Sequence, residues 1–300
     1  MGVYLSKPNT TKNSSSGETN SLHFAVSGMQ GWRMNMEDAH IAEPNLTENT
    51  SLFAVFDGHG GPEVAKFCAK YMPEELVKNQ NFKSGNYKRA LEEVFLRMDE
   101  ILLSDSKGDV LRDFKEDPSN EFSMAGCTAN VVLIANNDVY VANAGDSRAI
   151  LFSFDGEVHA MSIDHKPDLE SERQRIQKAG GYVSLGRVND NLNLSRAIGD
   201  LEYKKNSSLA PEHQIISAFP DVMVRTINSN INFMLIGCDG IWETLETKEI
   251  CNHIEGRLKN ENQPKLVPIL EELLDKLLAK DTTQGFGCDN MSAILVKFKH

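Results

Sequence analysis

Hydrophobic residues recur at intervals of three and four in three long segments, the spacing that places side chains on one face of an α-helix. The segments cover residues 64–71, just before Pro73, then residues 91–102 and residues 266–277. Their apolar positions are Val64, Phe67, Cys68 and Tyr71, then Leu91, Val94, Phe95, Met98, Ile101 and Leu102, and finally Leu266, Ile269, Leu270, Leu273, Leu274 and Leu277. Each of these faces needs an apolar partner surface, so the helices are expected to cover a larger core.

Short runs of apolar, strand-forming residues predict what the helices cover. The runs occupy residues 52–56, 129–135, 139–142, 149–154, 232–236 and 292–298. Turn residues such as Asn136-Asn137-Asp138 separate neighbouring runs, and strands joined this tightly pair antiparallel. Because the strands cluster instead of alternating with helices, the pattern predicts a layered α+β sandwich and not a doubly wound sheet.

The chain is predicted to be one domain behind a short tail. Residues 1–20 are rich in Ser, Thr, Asn and Lys and have almost nothing to bury, which predicts a mobile N-terminal tail. No linker or repeat of fixed period interrupts residues 21–300, which predicts a single domain. Residues 105–122 are a predicted polar loop. Residues 164–206, which include a short helix over 170–178, are a candidate lid over a site.

The amino-acid composition limits which binding partners and which cellular compartment are expected. The 300 residues contain 31 Lys and Arg against 43 Asp and Glu, a formal net charge of −12. A nucleic-acid surface must neutralise phosphates, so no nucleic acid is expected as a partner. The chain shows neither an apolar run of membrane-spanning length nor a signal peptide, which favours the cytosol or nucleus. The five cysteines form no Cys-x-x-Cys pair, so reduced and mostly buried thiols are expected.

Acidic residues recur where apolar strands begin or end. They are Asp57, Asp146, Asp239 and Asp289, each beside Gly, Cys or Asn, with Glu37 and Asp38 as a further pair. A single Asp after a strand is usually a turn former, but the recurrence predicts that several carboxylates converge. At an effective dielectric near ~20, each like-charge pair at ~4 Å costs on the order of 4 kcal/mol. Such a cluster therefore calls for cations.

The ligand types favour particular ions. Oxygen ligands without paired His or Cys select hard ions such as Mg²⁺ or Mn²⁺ over Zn²⁺. Glycine beside a ligand lets its main-chain carbonyl approach a metal closely, which suits Gly58. A carboxylate that bridges two metals ~3.5–4 Å apart would fix a water between them and lower its pKa enough to give hydroxide at neutral pH. That is hydrolase chemistry without a protein nucleophile.

A series of short motifs spans almost the whole chain. They are MQGWR (29–33), MEDAH (36–40), FAVFDGHGG (53–61), GCTA (126–129), AGDSR (144–148), DHKP (164–167), LSRAIGD (194–200), CDGIWE (238–243) and CDNM (288–291). In this order they resemble the motifs of the metal-dependent Ser/Thr protein phosphatase 2C family. The resemblance implies two central antiparallel β-sheets packed as a sandwich and flanked by helix pairs on both faces, a four-layer αββα arrangement. It also implies a binuclear Mg²⁺ or Mn²⁺ centre at one edge.

The resemblance implies metal ligands among the acidic residues. Asp57 resembles the bridging ligand, Gly58 a main-chain ligand of one metal, and Asp239 with Asp289 the ligands of the other. Glu37 and Asp38 resemble outer carboxylates that hold metal-bound waters.

Three further positions carry over from the family. Arg33 resembles the arginine whose planar fork grips two phosphate oxygens while the metal-bound hydroxide attacks phosphorus. His59 resembles the general acid that protonates the departing seryl or threonyl oxygen. Asp146 resembles a ligand of a weaker third ion. At Glu243 the family usually has Asp, and the extra methylene moves the carboxylate by about one C–C bond, which affects that third ion and not the binuclear pair.

The function that follows is hydrolysis of phosphoserine and phosphothreonine in proteins by hydroxide held between two Mg²⁺ or Mn²⁺ ions. A phosphatase-like regulatory or scaffold module without turnover is the alternative, although such a module has no need of a costly carboxylate cluster. A second rival is a cysteine-dependent phosphatase, because Cys251 and Arg257 satisfy Cys-x5-Arg. Helical spacing of Cys251 with Ile254 places that thiol on a buried face, and Glu255 would put negative charge in an anion cradle.

The first residues, MGVYLS, fit the N-myristoylation pattern, which makes Gly2 a lipidation candidate. One acyl chain gives only marginal and reversible membrane attachment. We therefore expect a cytoplasmic protein, with nuclear or peripheral membrane locations as the alternatives. We also expect the protein to be a monomer.

Overall fold

Strand β4 (Thr50–Phe56) lies at the centre of the fold, and both of its faces are buried. Phe53 and Val55 belong to one hydrophobic cluster, whereas Ala54 and Phe56 belong to another on the opposite face. Successive side chains of a strand point to opposite faces, so this one strand contributes to two layers of core.

We describe the fold from a computed structural model, in which residues 4–105, 109–115, 125–259 and 265–300 are described. The remaining long strands are β1 (Tyr4–Glu18), β2 (Leu22–Arg33), β3 (Ala39–Thr47), β7 (Ala129–Ala135), β8 (Asp138–Ala144), β9 (Arg148–Ser153), β10 (Val158–Ala160), β14 (Asp221–Thr226), β15 (Ile231–Gly237) and β16 (Met291–Phe298). They form a six-stranded sheet in the order β1-β2-β16-β15-β9-β10 and a five-stranded sheet in the order β14-β8-β7-β4-β3. Every pairing within these two sheets is antiparallel.

Two smaller sheets lie beside the main pair. The two-residue strands β5 (Gly58–His59), β6 (Gly126–Cys127) and β13 (Ile198–Gly199) form one, and β11 (Val183–Ser184) with β12 (Arg187–Val188) forms a hairpin. Strands of two residues carry no periodicity, so sequence patterns do not reveal them.

Helices cover the outer face of each large sheet. They are α1 (Glu63–Lys78), α2 (Gln80–Lys83), α3 (Tyr87–Ser104), α4 (Asp109–Arg112), α5 (Glu170–Lys178), α6 (Thr247–Lys259) and α7 (Leu266–Leu277). Apolar residues of α1 and α3 pack with one face of the five-stranded sheet in one hydrophobic cluster. Apolar residues of α6 and α7 belong to a second cluster, which also contains residues of both large sheets. The predicted α+β sandwich flanked by helices is therefore confirmed. Among the described residues, no helix has both the length and the apolar character needed to cross a bilayer.

The three predicted amphipathic helices, the helix over 170–178 and the six strand runs are all present. One helix is longer than predicted, because α1 continues past Pro73 to Lys78. Met72 and Leu76 on either side of Pro73 are fully buried, and this packing outweighs the missing backbone hydrogen bond. The predicted loop over 105–122 contains the short helix α4, and its remainder lies partly outside the described residues.

The N-terminal segment differs from the predicted mobile tail. Residues 4–18 form β1, an edge strand that pairs with β2. The Ser14 hydroxyl also lies 3.0 Å from that of Ser27 and donates to Glu271 of α7 at 2.7 Å. Backbone hydrogen bonds and polar contacts hold this strand, so the hydrophobic pattern could not predict it. Gly2, the lipidation candidate, lies outside the described residues.

Candidate active site

The register of the sheets brings distant polar residues to one edge of the sandwich. Strand β16 pairs with β15 through Ala293 and Gly237, and with β2 through Met291 and Met29. Asp239 follows β15, Asp289 precedes β16 and Arg33 ends β2, so all three reach the same edge. Strand β4 of the other sheet ends at the same edge, and Asp57 is the residue that follows it.

These residues line a cavity of about 450 Å³. Of the residues predicted for the site, the cavity is lined by Arg33, Glu37, Asp57, Gly58, His59, Asp146, Asp239 and Asp289. Asp38 does not line it but lies behind Asp57, with possible ligand atoms of the two residues within 4.8 Å of each other. Glu243 lines a neighbouring surface pocket, while its carboxylate lies within 4.8 Å of those of Asp239 and Asp289.

Two glycines permit the close approach of backbone that the site requires. A Cβ at Gly58 would lie 2.4 Å from the carbonyl oxygen of Glu37, and a Cβ at Gly240 would lie 2.2 Å from that of Asn290. Neither contact is sterically possible, so glycine is required at both positions. This accounts for the Asp-Gly sequence at Asp57 and again at Asp239.

The carboxylates at the cavity oppose one another's ionisation. Burial, reinforced by Asp239 and Asp38, raises the pKa of Asp57 well above its ordinary value. Burial, reinforced by Asp146 and Asp289, raises the pKa of Asp239 in the same direction. Like charges at short range disfavour the charged form of each group, so positive charge is needed to keep them ionised together.

The surroundings of Asp38 indicate whether the acidic residues at this edge are suited to bind a metal ion. Both carboxylate oxygens of Asp38 are buried and make no hydrogen bond of good geometry to the described residues, although the side chains of Ser292 and Cys238 lie close enough to favour the ionised form. Burial raises its pKa to about 7, and Asp289 and Glu37 add to the effect. Ionised carboxylates without partners are costly to bury, and a hard cation with bound waters satisfies such oxygens. The donor set at this edge therefore fits Mg²⁺ or Mn²⁺.

Arg33 is fixed by one of the acidic residues. Its Nη2 donates to Oδ2 of Asp289 at 2.6 Å, and 45% of its side chain is exposed. Burial works against the charged form, but the Asp289 carboxylate prevails and raises the pKa of Arg33. A guanidinium has five N–H donors, and this is the one hydrogen bond that the Arg33 side chain makes to the described residues, which leaves other donors for an anion in the cavity.

His59 has a carboxylate partner that the sequence analysis did not assign. Its Nε2 lies 2.8 Å from Oδ2 of Asp200, although the two residues are 141 positions apart. Burial alone would lower the pKa of His59, but the Asp200 carboxylate raises it. A Cβ at Gly126 would lie 2.5 Å from that carboxylate oxygen and 2.7 Å from the ring nitrogen, so glycine makes room for the pair. The only sequence signal was the position of Asp200 at the end of LSRAIGD.

Asp146 also has an unpredicted partner. The Lys166 ammonium forms an ion pair with its carboxylate, and Asp146 is almost fully buried. Burial opposes the charged form of Lys166, but Asp146 raises the pKa of this lysine. Possible ligand atoms of Glu243 group with those of Asp239 and Asp289, and the group does not include Asp146.

With this geometry established, comparison with known proteins identifies the family. Residues 22–285 match the family model described as protein phosphatase 2C. The chain is 50% identical to "Protein phosphatase 2C 1" of Paramecium tetraurelia over 99% of both chains.

The chain belongs to the protein phosphatase 2C family.

Other comparisons agree with this assignment. The chain is 42% identical to "Probable protein phosphatase 2C 11" of Oryza sativa subsp. japonica, over all of this chain and 91% of that relative. A crystal structure of a phosphatase from Toxoplasma gondii superposes with a TM-score of 0.77 at 26% identity and covers 96% of both chains. The predicted family and the predicted enzyme class, a Ser/Thr protein phosphatase of the 2C type, are both confirmed. Family membership implies dependence on Mg²⁺ or Mn²⁺.

The structure of this phosphatase contradicts the cysteine-dependent alternative. Cys251 is fully buried on α6, and burial raises the pKa of its thiol to about 12. A thiol with that pKa is not a nucleophile at neutral pH. All five cysteines are free and buried, as expected.

The candidate lid contributes one arginine to the cavity. Arg187 lines it, as do Asn191 and Leu194. Arg173 pairs with Asp168, and Arg175 is drawn into an ion pair with the buried Glu172, so neither contributes to the lining.

Proposed function

We propose that this phosphatase hydrolyses phosphoserine and phosphothreonine in proteins at the cavity lined by Asp57, Asp239 and Asp289, with two Mg²⁺ or Mn²⁺ ions as cofactors. The observation that carries the proposal is the convergence of these carboxylates, from three separate strand ends, beside an arginine that is paired with Asp289 and 45% exposed, with guanidinium donors left for an anion. The phosphorylated side chain would enter the cavity while the rest of the protein substrate remains outside.

The carboxylates and one main-chain group would hold the ions. Asp57 and the carbonyl of Gly58 are suited to one, and Asp57, Asp239 and Asp289 to the other. Glu37 and Asp38 would order bound waters from behind. When bound, the ions would neutralise the carboxylates and supply a water of lowered pKa as the nucleophile.

A third and weaker ion would lie at Asp146. Lys166 already brings a positive charge to that carboxylate, and Glu243 groups with the other acidic residues. We therefore propose that the third ion competes with the lysine for Asp146, and that Glu243 contributes to it only weakly.

Arg33 would bind the phosphoryl group. Its bond to Asp289 fixes the guanidinium plane, and the remaining donors match two phosphate oxygens. Lysine at this position would offer a point charge without that fork, so it would orient the group less well.

His59 would protonate the departing seryl or threonyl oxygen. Asp200 engages one ring nitrogen and stabilises the imidazolium, which keeps a proton available on the ring. The leaving oxygen is strongly basic, so this proton transfer matters more for natural substrates than for an aryl phosphate.

Phosphate release from a phosphothreonine peptide with Mn²⁺ tests the proposal. We expect release that stops after chelation, returns when Mn²⁺ is restored, and falls by at least about 100-fold in Asp239→Asn. Cys251→Ser, which alters a buried thiol on α6, is the control and should retain activity. Peptide binding without metal-dependent release would instead support the scaffold alternative.

We also propose reversible membrane attachment through acylation of Gly2, with the protein otherwise cytoplasmic and monomeric. The support is the MGVYLS pattern at the N-terminus. Mass spectrometry of protein from its native source checks this, because a retained Met1 or an unmodified Gly2 would contradict it.

A further inference from the structure

A buried ion pair contacts the segment that carries Asp200, the partner of His59. The pair consists of Asp99 on α3 and Lys204, whose side chains are 9% and 4% exposed. Neither residue is among the described residues that line the catalytic cavity. A buried ion pair is seldom more stabilising than well-packed apolar side chains, so the other contacts of this pair are the better guide to its role.

The ion pair is bonded to the backbone at both ends of the short strand β13. Oδ1 of Asp99 accepts from the backbone N–H of Gly199 at 2.8 Å, and this hydrogen bond is buried. The ammonium of Lys204 donates to Oδ2 of Asp99 and also to the carbonyl oxygen of Ala197, at 2.7 Å in the second case. The pair therefore fixes β13 to helix α3 immediately before Asp200.

The position of the Asp200 carboxylate depends on this backbone. Oδ2 of Asp200 lies 2.8 Å from Nε2 of His59, whereas Oδ1 is buried without a hydrogen-bond partner among the described residues. The φ angles of Gly199 and Asp200 are +84° and +50°, in the left-handed region that residues other than glycine seldom adopt. Such a conformation persists where the surrounding contacts hold it, and the bond to Asp99 is one of these contacts.

Strand β13 is separated from His59 by a single strand. Gly199 pairs with Gly126 of β6, and Gly126 pairs on its other side with His59 of β5. A displacement of Gly199 would therefore change the distance between Asp200 and His59. Hydrogen bonds weaken steeply when their geometry is poor, so a small displacement would weaken the support that Asp200 gives to the imidazolium.

Resting on the function proposed above, we propose that Asp99 is a positioning residue for the protonation of the leaving oxygen. It holds Gly199, and through Gly199 the Asp200 carboxylate, in place against His59. Lys204 neutralises Asp99 inside the protein. Burial raises the pKa of Asp99 and the Asp200 carboxylate adds to this effect, whereas Lys204 and the N–H of Gly199 act in the opposite direction.

Two double variants separate the hydrogen bond to Gly199 from the ion pair. Asp99→Asn/Lys204→Met, the Asn variant, removes both charges and keeps a side-chain oxygen that can accept from the Gly199 N–H. Asp99→Leu/Lys204→Met, the Leu variant, removes both charges in a side chain of similar shape without that acceptor. Neither variant leaves an unpaired buried charge, so both should fold, and their melting temperatures check this. Asp99→Ala/Lys204→Met replaces the Leu variant if that variant does not fold.

The measurement is kcat with Mn²⁺ on a phosphothreonine peptide and on p-nitrophenyl phosphate, whose leaving group needs no proton. On the peptide, the Asn variant should stay within about three-fold of the wild type, because the acceptor is retained. The Leu variant should lose about ten-fold in kcat with little change in KM, the scale expected for one buried hydrogen bond. Its loss on p-nitrophenyl phosphate should be much smaller. Equal kcat values for the two variants on the peptide, or equal losses of the Leu variant on the two substrates, would overturn the proposal.

Arg97→Gln is the matched control on α3, because the Arg97 side chain bonds to Glu75 and Glu100 instead of to β13. It should leave the rates on both substrates unchanged. Asp200→Asn distinguishes the two levels of the argument. If Asp200→Asn loses activity mainly on the peptide but the Leu variant does not, the role of Asp99 alone fails. If the wild-type enzyme releases no phosphate from the peptide, the proposed function fails, and the role of Asp99 fails with it.

Discussion

At the scale of single residues, the buried carboxylates of the candidate site lower the stability of the fold. Burial and neighbouring carboxylates raise the pKa of Asp57 and of Asp239, and the carboxylate oxygens of Asp38 are buried without well-formed hydrogen bonds to the described residues. Such groups destabilise the protein unless cations neutralise them. Stability and function therefore respond in opposite directions to the same substitutions.

Asp239→Asn tests this opposition. Removing one carboxylate relieves repulsion, so the metal-free variant should melt a few degrees higher than the metal-free wild type. Mn²⁺ should stabilise the wild type strongly and the variant only weakly, because the variant has lost a ligand. Thermal unfolding with chelator and with Mn²⁺ measures both effects. A metal-free variant that melts lower than wild type would contradict the account of the cluster.

Asp200→Asn tests the pair that contains His59. An amide cannot stabilise the imidazolium as a carboxylate does, so kcat on a phosphothreonine peptide should fall about ten- to 100-fold with little change in KM. The loss should be much smaller on p-nitrophenyl phosphate, whose leaving group needs no proton.

The control for Asp200→Asn is Glu202→Gln, which removes a carboxylate two residues further on, paired with Lys205 on the surface. This control should leave both rates unchanged. Equal losses on the two substrates in Asp200→Asn would show that Asp200 has only a structural role.

At the scale of secondary-structure elements, a buried ionic cluster joins the helix α5 to the chain around it. Glu172 accepts from Arg175 at 2.6 Å, from Arg196 at 2.7 Å and from the Ser195 hydroxyl at 2.7 Å. Burial alone would raise the pKa of Glu172, but the arginines hold it at about 2. Asp221 of β14 has a pKa lowered by its bonds to His165 and Arg196.

This cluster predicts a loss of stability in acid. The folded pKa of Glu172 lies below its ordinary value of 4.5, so its contribution is complete above pH ~5 and is lost as pH falls toward about 2. The loss amounts to about 3 kcal/mol for this group. Denaturant unfolding from pH 6 to pH 2.5 measures it. Glu172→Gln should flatten that dependence, whereas the exposed Glu170→Gln on the same helix should not.

The strand β1 gives a second prediction at this scale. Removing residues 1–18 would expose the β2 backbone and the Phe24 ring, against which Gly17 packs. We expect the melting temperature to fall by about 5 °C or more. Removing only residues 1–3 is the control. An unchanged melting temperature after the longer deletion would instead support a mobile tail.

Elements with strong periodicity could be predicted from the sequence, and those without it could not. The helix faces of α3 and α7 recur at 3.6 residues and bury their apolar sides as predicted. β1 buries little, and β5, β6 and β13 have two residues each, so neither burial pattern nor length reveals them. Packing on both sides of Pro73 overrode a local breaker in α1.

At the scale of the whole molecule, the motifs supplied the cavity residues but not their partners. Asp57, Asp239 and Asp289 could be expected together because each follows or precedes a strand, and the match of their motifs to the family is the basis of their proposed roles. The pairs His59–Asp200 and Lys166–Asp146 join segments that only the complete fold brings together. The high exposure of Leu185 could not be predicted from the sequence, because it depends on the hairpin that strands β11 and β12 form.

The account requires that the strand ends of both sheets together hold a pair of divalent ions. Anomalous diffraction at the manganese edge, from crystals grown with Mn²⁺, tests this most directly. We predict two strong peaks about 4 Å apart, in contact with Asp57, with Asp239 and Asp289 on one of them. Absence of a peak between these carboxylates, in crystals whose protein hydrolyses a phosphothreonine peptide, would contradict the account.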